Sequence, residues 1–286
     1  MNFKHINSVD DALIMGEIDF TAKFEQLKTD SGLVYENQAI VGTPNNTLTI
    51  LGAAGKNYNI IQNSLFFNEI LNEPLTTGKF QVKKCFQNRS KSVMELEYLN
   101  PEFKNIKGET FSHILYVWND FSGRGASGAQ FRTIRLVCTN GMKSSQLESE
   151  FSIKHFSTFE ERIATGKKII LNSQKYVDIL IRDIETFQIT KISQNNVEKL
   201  FQKALNIKNM NAVTTTALNK FDTLLDIYNN ISDIEKNTVW GAYNSLTNYF
   251  SHHKSFRGED STDSILFGTA SNELENYYKI ALEYCN

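Results

Sequence analysis

Phe80–Tyr98 reads FQVKKCFQNRSKSVMELEY. Phe80, Val82 and Phe86 fall on one side of an extended chain and Gln81, Lys83 and Gln87 on the other, with Lys84 interrupting the apolar side. Asn88–Lys91 has the composition of a turn. The chain then returns from Val93 to Tyr98, with Met94, Leu96 and Tyr98 on one face and Glu95 and Glu97 on the other. A period of two on both sides of a polar turn predicts a β-hairpin. The hairpin places an antiparallel sheet in the first half of the chain.

Working outward, Phe111–Trp118 and Gln130–Cys138 read as two more strands, joined by a glycine-rich loop, Ser122–Gly128. Upstream, Leu48 and Ile50 lead into a Gly52–Gly55 turn, and Tyr58–Ile61 continues extended. Four to six antiparallel strands are expected over residues 48–138. Ser64 is expected to cap a helix running to Leu71, with Pro74 just beyond its end. Residues 1–40 read as irregular apart from a short helix at Val9–Met15.

From residue 156 the period becomes helical. Phe159, Ile163, Ile170, Tyr176, Ile179, Leu180 and Ile184 fit one long or bent helix, and Phe187–Ile192 reads as extended or as a linker. Ser193 caps a helix to Leu205 whose stripe is Val197, Leu200 and Phe201. Thr214–Tyr228, Asp233–His253 and Asn272–Tyr284 follow. Strands first and helices after predict an α+β fold. No Pro/Gly/Ser linker divides the chain, so residues 1–286 are expected to form one unit, β-rich over 1–155 and helical over 156–286.

With 286 residues and 41% apolar content the chain needs no staple to bury a core. Its net charge of -2 argues against the bulk electrostatic attraction typical of proteins that coat nucleic acid. Cys85, Cys138 and Cys285 are far apart and form no CxxC pair, which excludes a zinc ribbon or a thioredoxin-type site and suits a reducing cytoplasm. No apolar leader and no run long enough to span a bilayer is present, so a cytoplasmic location is expected.

Several motifs invite a chemical reading and fail on context. Gly123–Gly128 matches G-x-G-x-x-G, but a dinucleotide fingerprint requires a helix after it and here a strand is expected. Gly52-Ala-Ala-Gly55-Lys56 lacks the spacing of a phosphate loop, and Asn57 stands where a hydroxyl residue would meet magnesium. His252 and His253 are neighbours that diverge by ~100° on a helix and cannot form a two-ligand face. Neither a nucleophile elbow nor a clustered carboxylate pair appears. No catalytic residue, metal or cofactor is therefore expected.

The basic residues are more suggestive. Lys79, Lys83, Lys84, Arg89 and Lys91 gather around the hairpin, and Arg124, Arg132, Arg135 and Lys143 around the glycine loop and its strand. Aromatic residues are interleaved, which is the composition of a stacking platform for single strands. The candidate nucleic-acid contacts are Arg89, Lys91, Trp118, Arg124, Phe131, Arg132 and Lys143. Against this, Arg132 and Arg135 face opposite sides of a regular strand, and Lys83 can pair with the glutamates across the hairpin.

Three stretches carry a resemblance: LGAAGKNYNIIQN at residues 51–63, TIRLVCTNGM at 133–142 and NTVWGAYNSLTNYFSHH at 237–253. Together they resemble the phage/plasmid-like proteins built on domain of unknown function 932. The resemblance implies a mobile-element setting and transfers no mechanism or catalytic position. The Trp240 stretch also explains itself physically, because Trp240, Tyr243, Leu246 and Phe250 form an apolar helical stripe and Gly241 permits close approach of another element. The expected function is a non-enzymatic accessory protein binding single-stranded DNA, with an annealing or recombination role. The alternative is an interaction module acting on a host or phage protein, and a weaker third is an enzyme acting on nucleic acid.

Overall fold

The computed structural model describes residues 3, 6–99, 105–106, 109–135, 140–142, 150–155, 159–232, 235–253 and 269–285. The order of elements is α1 (Val9–Met15), β1 (Lys23–Lys28), β2 (Val34–Gly42), β3 (Thr49–Ala54), α2 (Asn63–Thr76), β4 (Phe80–Asn88) and β5 (Lys91–Tyr98). Then come β6 (Asn105–Ile106), β7 (Glu109–Asp120), β8 (Ala126–Arg135), β9 (Asn140–Met142) and β10 (Glu150–Lys154). The helices α3 (Phe159–Leu171), α4 (Ser173–Ile189), α5 (Gln194–Ala204), α6 (Thr215–Asn229), α7 (Val239–His252) and α8 (Thr269–Glu283) follow. Antiparallel sheets succeeded by helices make this an α+β fold.

The chain forms two compact units. The first comprises Met1–Pro101, His113–Arg132 and Glu148–Gln174, and the second Glu102–Ser112, Thr133–Leu147 and Lys175–Asn286. In the first, β1, β2 and β3 pair in that order as a small antiparallel sheet, while the main sheet runs β10-β8-β7-β5-β4. β4 is an edge strand, and its hairpin with β5 contains a bulge. Val82 pairs with Leu96 and Lys84 with Glu95, which leaves Lys83 as the extra residue. The bulge reassigns the faces beyond it: Cys85, paired with Met94, is buried, while Phe86 is only half-buried beneath the Lys84 ammonium, 4.3 Å from the ring centroid. This resolves the Lys84 interruption and corrects Phe86's expected place in the core. A bulge flanked by lysines also protects an open edge from pairing with another chain.

One face of the main sheet is covered by α1, α2 and α3, which bring Leu13, Phe66, Phe67, Ile70, Leu71 and Ile163 into the core. Gly16, after α1, lies against Cys85, and Gly166 of α3 against the Phe151 ring. Trp118 and Phe131 belong to this buried structure. Phe131 packs edge-on against Phe80 and Tyr98 and is stacked near His113. Trp118 is 9% exposed and donates its indole N–H to the Ala126 carbonyl at 2.7 Å.

The second unit is an aromatic helical core. Trp240 and Tyr243 on α7 meet Phe187 of α4 and Tyr278 of α8, with ring centroids 5.7 Å apart for Phe187–Tyr243 and 6.0 Å for Tyr243–Tyr278. Trp240 is 1% exposed. A Cβ at Gly241 would lie 2.4 Å from the Glu235 carbonyl, so the close approach read from the sequence is real. Ser193 caps α5 as expected, accepting from the Asn196 amide.

The hairpin β1–β2 replaces the irregular start that the sequence suggested. KFEQLK and VYENQ carry too little apolar alternation to announce strands, and pairing with each other and with β3 defines them. The main sheet also gains β10, a strand beyond those expected over residues 48–138. The expected helix at Ser64 instead begins at Asn63 and runs to Thr76 with Pro74 inside its last turns, where the missing N–H costs one bond near a helix end. The expected long helix is divided into α3 and α4 at Asn172, and α4 continues to Ile189, through part of the expected linker.

Candidate nucleic-acid interface

The loop end of the main sheet is built around Asp120, the last residue of β7. Its register partner on β5 is Lys91. Its side-chain Oδ1 accepts from the Ser122 amide at 2.7 Å and from the Ser90 hydroxyl at 3.2 Å, so one carboxylate holds both the β7–β8 loop and the β4–β5 turn. The Phe121 amide donates to the Ser90 carbonyl and reinforces the tie. The loop is closed by the Ser122 hydroxyl, which accepts from the Gly125 amide at 2.8 Å. Gly123 has φ +80° and lies against the Ala53 carbonyl of β3, where a Cβ would approach to 2.2 Å. Glycine is thus required there for both conformation and space. The segment after β3 joins the same end, because the Tyr58 hydroxyl donates to the Asp120 carbonyl at 2.9 Å.

These ties gather cations. Arg89 occupies the β4–β5 turn with φ 51° and is exposed. Arg124 is exposed on the β7–β8 loop, Lys56 on the loop after β3, and Lys154 at the end of β10, paired in register with Ala126. Lys91 is half-buried beside them. Among the described residues, no carboxylate lies within ion-pairing distance of Lys56, Arg89, Arg124 or Lys154. With adjacent strands ~4.8 Å apart, the backbone positions of Lys154 and Lys91 are separated by ~14 Å across three strand spacings. The lysines along the hairpin behave differently: Lys83 pairs with Glu97 at 3.7 Å, the balanced arrangement that the sequence also allowed.

Behind this end runs a buried chain of polar side chains. Gln87 donates to the Arg89 carbonyl and accepts from Ser92, and Ser92 accepts from Asn63. Asn63 also donates to the Ile18 carbonyl and accepts from Asn119 at 2.9 Å. Asn119 donates to the Ile61 carbonyl at 2.8 Å and accepts from the Ser127 hydroxyl at 2.7 Å. Ser127 accepts from the Asp120 amide and lies 2.6 Å from Nε2 of His155, whose Nδ1 faces the Asn59 carbonyl at 3.2 Å. Asn63, Ser92, Asn119, Ser127 and His155 are each at most 1% exposed. The Tyr58 ring stacks on the His155 imidazole, 4.8 Å between centroids and 8° from parallel. Burial pushes the His155 pKa down and the Tyr58 pKa up, the latter further raised by the Asp120 charge.

Of the residues selected from sequence, Arg89, Lys91 and Arg124 meet at this end. Trp118, Phe131 and Arg132 are buried, with Arg132 Nε donating to Gln130 Oε1 at 2.7 Å. Buried rings offer no free face to a base, so they do not form a stacking platform on this surface. Lys143 lies outside the described residues. Lys56 and Lys154 were missed because they are far in sequence from the hairpin and reach it only through the β10–β8 pairing and the Tyr58–Asp120 bond.

The alternative motifs fall away on context. Gly123 and Gly125 belong to a turn between strands, and Gly128 is already inside β8. Lys56 precedes a loop, and α2 begins only at Asn63, so no helix N-terminus meets the Gly52–Lys56 segment. Among the described residues no group of three His, Cys, Asp or Glu side chains is placed to hold a metal ion, and no helix is long and apolar enough to cross a membrane.

A family model described as "Domain of unknown function (DUF932)" matches residues 50–267, a span containing Lys56, Arg89, Lys91, Arg124, Lys154 and the buried chain from Asn63 to His155. Comparison with curated proteins and with solved structures returned no match.

Proposed function

The chain belongs to the DUF932 family, whose description assigns no chemistry, and we propose from the geometry that it is a non-enzymatic protein binding the phosphate backbone of single-stranded DNA. The observation that carries this reading is the gathering of Lys56, Arg89, Arg124 and Lys154, all exposed and without carboxylate partners among the described residues, at one end of the main sheet. Unpaired surface cations cost little in water but gain when phosphates displace their counterions. Such contacts position a strand without reading its bases. With Trp118 and Phe131 in the core, the reading predicts little base preference.

A phage or plasmid setting, the cytoplasm of a host cell and a role in annealing or recombination complete the proposal. The setting rests on the sequence resemblance, and the annealing role follows only if the proposed single-strand binding holds. The rival reading, a module for a host or phage protein, is favoured by one feature: Leu33, Val34 and Tyr35 at the β1–β2 tip are 69%, 61% and 55% exposed. Fluorescence anisotropy of a labelled ~20-nucleotide oligo-dT at ~50 mM salt, where electrostatic binding is strong, separates the two. Saturable binding is expected. Absence of any anisotropy change at that salt refutes the DNA reading and leaves the protein partner.

A further inference from the structure

The buried chain of polar groups has a proton count that does not close. Asn119 has a fixed orientation, because its Nδ2 meets the Ile61 carbonyl, which can only accept. Its Oδ1 therefore faces Ser127 and must receive the Ser127 proton. The Ser127 oxygen already accepts from the Asp120 amide, so its remaining lone pair can only receive a proton from His155 Nε2. In neutral His155 that fixes the Nε2–H tautomer and leaves Nδ1 with a lone pair pointed at the Asn59 carbonyl, another acceptor, at 3.2 Å. One added proton on Nδ1 turns this contact into a hydrogen bond and satisfies every member of the chain.

His155 is also where the cation-bearing segments meet. It directly follows Lys154; its carbonyl partner Asn59 lies on the loop carrying Lys56, and its hydroxyl partner Ser127 follows the loop carrying Arg124. The titratable groups facing it are Tyr58, stacked from the loop after β3, and Asp120 at the end of β7. From β8 it meets the neutral Ser127. On α3, which packs against β10, Lys167 is paired with Glu69 at 2.7 Å and Lys168 is exposed.

We infer that His155 takes up a proton when a phosphate-bearing strand occupies the cationic end, so that affinity for the strand rises as the pH falls. The inference rests on the phosphate-binding reading of that end. In the free protein, burial disfavours the imidazolium, and Asp120, the Tyr58 ring face and the Asn59 carbonyl favour it. A phosphate brought to Lys154, Lys56 and Arg124 adds negative charge on the favouring side. By reciprocity, protonation then tightens phosphate binding by the same factor.

The test titrates the histidine ring nitrogens of the full-length protein by 15N NMR, free and saturated with oligo-dT, with His155→Gln used to assign the resonance. Expected are an Nε2–H tautomer in the free protein at pH 7.5 and a titration midpoint that moves up on adding oligo-dT. In parallel, affinity at constant ionic strength is expected to gain roughly fivefold between pH 7.5 and 5.5, a typical coupling between linked sites, with His155→Gln lacking this gain. Should His155→Gln fail to fold, the wild-type titration decides by itself, its resonance being recognised as the buried ring in contact with Tyr58. An oligo-dT that binds while the His155 midpoint stays fixed, or a free Nδ1–H tautomer, overturns the inference and leaves the phosphate-binding reading standing. No binding of oligo-dT at any pH removes both.

Discussion

Asn119→Leu tests how much the buried polar chain holds. Leucine keeps the number and branching of asparagine's side-chain heavy atoms, so the change removes hydrogen bonds without opening a cavity. Asn119 is 0% exposed and makes three bonds, to the Ile61 carbonyl, to Asn63 Oδ1 and from the Ser127 hydroxyl. All three partners are buried, and each orphaned group costs ~1–3 kcal/mol. The Ser127 hydroxyl recovers part of its loss if His155 shifts to the other tautomer, so a total of ~3–6 kcal/mol is expected. That is a large share of the ~5–15 kcal/mol by which folded proteins are usually stable. In urea, with a slope of ~3 kcal/mol/M, the unfolding midpoint should fall by ~1–2 M. Adding Asn63→Leu should cost less than the sum of the two single changes, because each single change already breaks their shared bond. A midpoint shift below ~0.3 M with the slope unchanged, equivalent to under ~1 kcal/mol, would refute the idea that this chain is a tightly satisfied part of the core.

Trp240→Ala should destabilise by ~3–5 kcal/mol, since the ring is fully enclosed by Phe111, Tyr243 and their neighbours, and thermal melts read this directly. His155 contributes a pH dependence whose sign is fixed by its downward shift: the folded state prefers the neutral ring, so the stability is present above the ordinary value near 6.5 and is lost as pH falls through the lower folded value. Melting temperatures measured from pH 7.5 to 5 should decline in the wild type more than in His155→Gln. A fragment ending at residue 155 loses α3, which packs against α2 and β10 within the first unit, and is expected not to fold alone; a cooperative melt of that fragment by circular dichroism would contradict the dependence of the first unit on α3.

The hairpin Phe80–Tyr98 was legible because its turn and most of its alternation are local. Its bulge was not, since a pair of lysines in an apolar strand reads equally as an interruption. The helices α5 and α7 announced themselves through Ser193 and the Trp240 stripe. β1 and β2 did not, because strands with little alternation are specified by partners distant in sequence; β10 alternates, with Phe151 and Ile153 buried and Ser152 and Lys154 exposed, but it is only 5 residues long and is defined by its pairing with β8. The site divides in the same way. Arg89, Lys91 and Arg124 were found as local charge clusters. Trp118, Phe131 and Arg132 have the composition of a binding platform, and burial separates them from one. His155 had nothing in its neighbourhood to distinguish it, and Lys56 and Lys154 required the sheet register. The signal available in sequence was the string of Asn, Ser and Tyr around residues 57–63 and 119–127, polar residues where strands and core were expected.

The claim that the loop end of the sheet meets phosphates is tested most directly by the salt dependence of oligo-dT binding. About four phosphate contacts give a slope of log affinity against log salt near -3, at ~0.7 per phosphate on a single strand. Replacing Lys56, Arg89, Arg124 and Lys154 together by glutamine should bring that slope close to zero while circular dichroism and the melting temperature stay at wild-type values, because all four side chains are exposed. A folded quadruple variant that binds with the wild-type affinity and slope would contradict the account.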